Sequence, residues 1–181
     1  MWIKPKYLFH ENLVLTNYPE IDDLIREYGG DILESERFKR AEQVTHHGTT
    51  SVAQHSIDVA RYALMLCIEQ KKQGKKVSRR DVVRAALLHD IGMTDDDISN
   101  MVSARKTYAH PVRSALIARK EYGANLIQVD AIRKHMWPLY AMPPSFTAGW
   151  ILIDADKFCS VREVTVRNIR GGADTPVTLS D

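Results

Sequence analysis

The chain has 181 residues, 44% of them apolar and 27% charged. This balance excludes a disordered chain, a collagen-like repeat and a disulfide scaffold. The 25 Lys and Arg against 23 Asp and Glu leave a net charge of +2, which argues against a basic protein that coats nucleic acid, and no nucleic-acid partner is expected. Cys67 and Cys159, the only cysteines, sit in or after apolar helical runs and lack any Cys-x-x-Cys spacing. They read as buried free thiols of a reducing cytoplasm. The start, Met1 to Lys6, has no signal-peptide core, and the runs Ala85–Leu88 and Trp150–Ile153 are too short for a bilayer. A cytoplasmic protein without a membrane partner is therefore expected.

In chain order, the first 45 residues suggest two or three short helices. One begins at Pro19 and is expected to stop at Gly29-Gly30, and Glu34 to Gln43 forms another. Thr45 to Ser51 reads as a polar loop whose Thr50 or Ser51 caps the next helix. In that helix Val52, Val59, Ala63 and Leu66 recur at helical spacing until Gly74. Ser78 and Asp81 form a weaker capping box before the nearly wholly apolar run Val82 to His89-Asp90, stopped by Gly92. Asp95-Asp96-Asp97 opens a short helix or loop. Pro111 suits a first helical turn, with Gly123 at the far end. Leu126 to Met136 and Phe146 to Val161 are further helices, and Val164-Thr165-Val166 is the one fair strand candidate. The expected architecture is an all-α helical bundle on a single core. Residues 1–45 form a helical extension packed on the core, 46–170 the main domain and 171–181 a loose tail.

Several polar residues interrupt apolar faces. His55 shares a face with Val52, Val59 and Tyr62; His89 ends the most buried helix, and Asp90 follows it. His135 comes three residues after Ile132, and Asp154 and Asp156 break the run Trp150 to Phe158. A buried carboxylate costs several kcal/mol, roughly, unless paired or bound to a cation. Carboxylates beside imidazoles on separate inner faces point to a divalent-metal site, and N/O donors suit iron, manganese or zinc. Periodicity alone does not choose between Asp154 and Asp156.

Three pieces carry a resemblance: His55-Ser56-Ile57-Asp58-Val59-Ala60, Ala86-Leu87-Leu88-His89-Asp90-Ile91-Gly92 and Ala155-Asp156-Lys157. The chain resembles HD-domain proteins, a superfamily of metal-dependent phosphohydrolases, from Ser51 to Ser160. The resemblance implies His55, His89, Asp90 and Asp156 as metal ligands and selects Asp156 over Asp154. The two-metal branch of the superfamily further implies His110 and His135 as ligands. It also implies Asp90 as the bridging catalytic carboxylate and a metal-bound hydroxide as the nucleophile. Two ions are expected, iron or manganese foremost, with Zn, Ni, Co or Mg as other candidates. Lys157 is a second catalytic candidate, and His47, Arg105, Lys106 and Lys134 are candidates for substrate contact. The expected partner is a small phosphate compound, a nucleotide foremost. Alternatives on the same frame are a two-iron oxygenase and a non-catalytic metal- and nucleotide-binding regulator. The Gly-Tyr-Pro element of the cyclic dinucleotide group is absent, which disfavours that substrate.

Overall fold

A computed structural model of the chain describes residues 19–47 and 50–172. Helices α3 (Val52–Lys72), α4 (Arg79–Leu88) and α8 (Thr147–Gly172) form its centre, with α7 (Leu126–Lys134) against α4 and α8. Helix α1 (Pro19–Leu33) lies on α3 and α4, and α2 (Glu36–Ala41) lies on a 3-10 turn, Ile91–Thr94. Helix α5 (Asp96–Ser99) and α6 (Ser103–Glu121) complete the bundle. The only sheet among the described residues pairs β1 (Thr45–His47) antiparallel with β2 (Thr50–Ser51). The fold is all-α, as the helical periodicity requires.

Helix α4 explains its own composition. Val82, Val83 and Ala85 to Leu88 are all fully buried, so the run has no polar face to show. Arg84 is the exception, 4% exposed. Its guanidinium grips both carboxylate oxygens of Asp31, at 2.5 and 2.9 Å, and donates to the Tyr28 and Tyr122 carbonyls. At the helix start, Ser78 Oγ accepts from Asp81 N at 3.2 Å, the expected cap. The Asp81 carboxylate then takes the side-chain amides of Asn125 and Gln128, tying α4 to the start of α7. Ser51 Oγ caps α3 through Gln54 N at 3.1 Å. Gly74 and Gly123, with φ of +80° and +62°, lie just past α3 and α6.

Four local expectations are corrected. Helix α1 runs through Gly29-Gly30 to Leu33. Gly29 is there for contact, since a Cβ on it would lie 2.3 Å from Leu87 Cδ1. The expected loop before α3 contains the β1–β2 hairpin, too short to carry a strand period. Pro111 lies inside α6, not in its first turn. Val164-Thr165-Val166 is helical, part of an α8 that continues to Gly172. Of the two flanking segments expected, residues 1–18 and 173–181 lie outside the described residues. The described part of the first contributes Ile25, Ile32, Phe38 and Ala41 to the common core. No helix among the described residues is long and apolar enough to cross a membrane, and both cysteines are free and buried.

Candidate metal centre

Six elements deliver polar side chains to one buried point. His55 comes from the capped first turns of α3, and His89 and Asp90 from the end of α4 and the turn after it. His110 comes from α6, His135 from the residue closing α7, and Asp156 and Glu163 from α8. His46 arrives from β1. Gly92 lets the segment after Asp90 touch α6. Its N–H donates to Ser114 Oγ at 2.9 Å, and a Cβ there would lie 2.7 Å from Ser114 N. A side chain at this position would push Asp90 away from α6.

The imidazoles are oriented by their Nδ1 atoms. His89 Nδ1 donates to the Ala86 carbonyl, His110 Nδ1 to Lys106 O and His135 Nδ1 to Ile132 O, each at 2.7 Å. A carbonyl can only accept, so all three Nδ1 atoms carry the proton, and a ring in its neutral form presents its lone pair at Nε2. Those lone pairs converge. His110 Nε2 and His135 Nε2 are 3.1 Å apart, and they lie 3.2 and 3.5 Å from Asp90 Oδ1. The other oxygen, Asp90 Oδ2, faces His89 Nε2 at 3.6 Å and His46 Nε2 at 2.9 Å. Asp156 Oδ1 is 3.1 Å from His55 Nε2 and 3.9 Å from His89 Nε2. His89 Nε2 and Asp90 Oδ1 are buried without a hydrogen-bond partner among the described residues.

This donor set fits divalent ions. Two imidazole lone pairs 3.1 Å apart repel unless a proton or cation lies between them. A ligand bond of roughly 2.0–2.1 Å places neighbouring donor atoms about 3 Å from each other. Three overlapping groups have donor atoms within 4.8 Å of one another: His55, His89 and Asp156; His89, Asp90 and His135; His46, His55 and Glu163.

The electrostatics separate the residues. Burial lowers the His135 pKa, the neighbouring His89 and His110 lower it further, to about 4, and the ring is neutral at pH 7. Burial likewise lowers His89. For His55 burial acts downward, but the bonds to Asp156 and Glu163 outweigh it and push the pKa up to about 10. Burial would raise Asp90, yet His89 and His110 hold it well below the usual carboxylate range. Against the same effect of burial, His46 and His55 hold Glu163 down at about 2. The carboxylates are anionic, ready to take positive charge.

A family model described as HD domain matches residues 52–159, more than half of the chain. The chain belongs to the HD domain family. Searches of curated proteins and of solved structures gave no match. The paired His89-Asp90 of this HD domain ends α4, where one residue closes the helix and the next enters a tight turn. The match includes all six residues expected as ligands, and the fold brings all six together.

The expected rim residues fare differently. Lys157 diverges from Asp156 by about 100° of helix. It is exposed, its ammonium donates to the Trp137 carbonyl at 3.1 Å and lies 5.8 Å from the centroid of that ring, and the fold does not bring it into the cluster. Lys134 is likewise engaged elsewhere, paired with Asp130 and bonded to Ser145 Oγ at 2.9 Å. Arg105 is exposed. Lys106, one helical turn before His110, donates to the Ser99 carbonyl at 2.8 Å. The side chain of His47 lies outside the described ones. Its neighbour His46 reaches the cluster. Asp154 is exposed on α8 and takes no part. Glu163 joins the cluster beyond the expected ligands, and Asp156, Ser160 and Glu163 are spaced along one face of a helix.

Proposed function

We propose that the chain is a metal-dependent phosphohydrolase acting on a nucleotide or another small phosphate ester. In this reading two ions are held by His55, His89, Asp90, His110, His135 and Asp156. The observation that carries it is the division of Asp90: Oδ1 faces His110 and His135, and Oδ2 faces His89. A carboxylate so placed is shared between two groups of donors. Bound there, divalent ions would supply Lewis acidity to a phosphoryl oxygen and acidify a water molecule near neutral pH. Iron and manganese suit the mixed imidazole and carboxylate donors, as do several other first-row ions.

The protein's own contribution is orientation and charge. The Nδ1 bonds to carbonyls fix three rings with Nε2 inward, so no reorganisation precedes ion binding. Lys106 is the cation we assign to the substrate phosphate. It lies on the His110 face of α6, and two of its three ammonium protons remain after the bond to Ser99.

The test pairs metal analysis of purified protein with phosphate release from a panel of nucleotides and simple phosphate esters. Asp90→Asn keeps the shape of the shared carboxylate and removes its charge. We expect it to lower turnover by more than a thousandfold, about 4 kcal/mol of barrier, with unchanged circular dichroism. Lys106→Ala should raise KM while leaving bound metal unchanged, a smaller effect. Activity of Asp90→Asn within tenfold of wild type, or full activity of metal-stripped protein, would overturn the reading.

A further inference from the structure

His46 and Glu163 flank the matched segment 52–159, one on each side. Their geometry nevertheless repeats that of a cluster member. The rings of His46 and His55 stack, with centroids 3.8 Å apart and planes 21° from parallel. Glu163 spans the Nδ1 side of both: Oε1 is 2.7 Å from His55 Nδ1, and Oε2 is 3.6 Å from His46 Nδ1. On the Nε2 side, His55 lies 3.1 Å from Asp156 Oδ1 and His46 lies 2.9 Å from Asp90 Oδ2. Two nearly parallel imidazoles thus present Nε2 to the two inner carboxylates, and one outer carboxylate holds His55 and lies behind His46.

We propose that His46 is a further metal ligand, joining His55, His89 and Asp156 on the side that Asp90 Oδ2 faces, with Glu163 as the positioning residue for both stacked rings. This rests on the metal-centre reading above. The hairpin that carries His46 is tied to the head of α3, with Val52 N donating to Val44 O at 2.8 Å, so it is set over the turn bearing His55. His55 is also distinguished from the other inner histidines, because its Nδ1 meets a carboxylate where theirs meet main-chain carbonyls. A carboxylate behind a ligating imidazole fixes its tautomer and raises its basicity, and losing such a partner costs roughly 10–100-fold in metal affinity. The His46 ring turns its Nδ1 toward the second oxygen of the same carboxylate, at the longer distance of 3.6 Å.

Two readouts test this without activity. Metal-stripped full-length protein is titrated with Co2+, following visible absorption and competition with a chelator. Wild type should take up two ions. His46→Gln should weaken one of the two steps by at least tenfold and change the absorption of that step alone. Glu163→Gln should weaken the same step. Equal affinities and spectra in His46→Gln would overturn the proposal while leaving the two-ion centre intact. The second readout does not depend on a variant folding. In histidine-15N spectra of wild type, saturation with Zn2+ should shift five Nε2 resonances, from His46, His55, His89, His110 and His135. Four shifted resonances would exclude His46. No ion uptake by wild type would remove the metal centre itself, and this inference with it.

Discussion

His135 and His110 face each other through Nε2 at 3.1 Å, each with its Nδ1 proton committed to a carbonyl. Between two neutral rings the contact is no hydrogen bond. Burial acts downward on the His110 pKa, but Asp90 raises it, which draws positive charge, a proton or a metal ion, to this point. The pair is intelligible as two donors waiting for a cation. His135→Ala is therefore expected to lower bound metal from about two ions per chain towards one. The remaining ion would stay with His55, His89 and Asp156. Elemental analysis together with a far-ultraviolet spectrum checks this, and unchanged stoichiometry in a folded variant would give His135 a structural role. At this scale His55, His89, Asp90 and His135 are legible as polar residues among apolar helical ones, whereas the choice of Asp156 over Asp154 and the inclusion of His110 come from the resemblance alone. His46 was not, because it follows no period. Two adjacent histidines look alike in the sequence, and only the hairpin shows that His46 faces inward.

Adjacent glycines in α1 separate two effects that the sequence joins. The pair suggested a stop signal, since each glycine in a helix costs roughly 0.5–1 kcal/mol relative to alanine. Tertiary contact overrides that cost at Gly29, where α1 comes so close to α4 that Leu87 occupies the space of a side chain. Nothing lies within 4 Å of a Cβ on Gly30. Gly30→Ala should therefore stabilise the protein by about 0.5–1 kcal/mol. Gly29→Ala gains the same propensity but forces a methyl onto a fully buried leucine, an overpacking worth about 1–3 kcal/mol. Its net effect should be destabilising by about 1 kcal/mol. Urea denaturation of the two variants reads the opposite signs directly, and stabilisation by both would mean that α1 can shift away from α4. The same competition between local and tertiary signals hid Glu163. The β-branched run Val164-Thr165-Val166 favours a strand locally, whereas α8 extends through it, and only that extension carries Glu163 two turns beyond Asp156 on the face of the metal centre.

Across the whole molecule, carboxylate–guanidinium pairs fasten the two N-terminal helices to the HD domain. Asp22 of α1 meets Arg61 of α3, Asp31 of α1 meets Arg84 of α4, and Arg37 of α2 meets Asp95 beside the 3-10 turn, which also pairs with Arg113 of α6. In each case the folded carboxyl is held below its ordinary pKa. For Asp22 and Asp31 the dominant cause is the guanidinium hydrogen bond, and for Asp95 the two arginines outweigh burial. The unfolded chain therefore binds more protons than the folded one around the ordinary aspartate pKa, roughly 3.9. Their stabilisation is fully present above that value and is lost as pH falls through the lower folded values. Asp31 is 58% exposed, so solvent screening reduces its share. Its partner is nearly buried, however, and Asp31→Asn leaves Arg84 with neutral acceptors alone. The variant should be less stable than wild type at pH 7. Between pH 5 and about 3 its stability should fall less steeply, by the contribution of one carboxylate. Urea midpoints measured on both proteins across that range would show the two curves converging in acid. Parallel curves would mean that Asp31 titrates alike in the folded and unfolded chains, and that Arg84 holds α1 through the Tyr28 carbonyl instead.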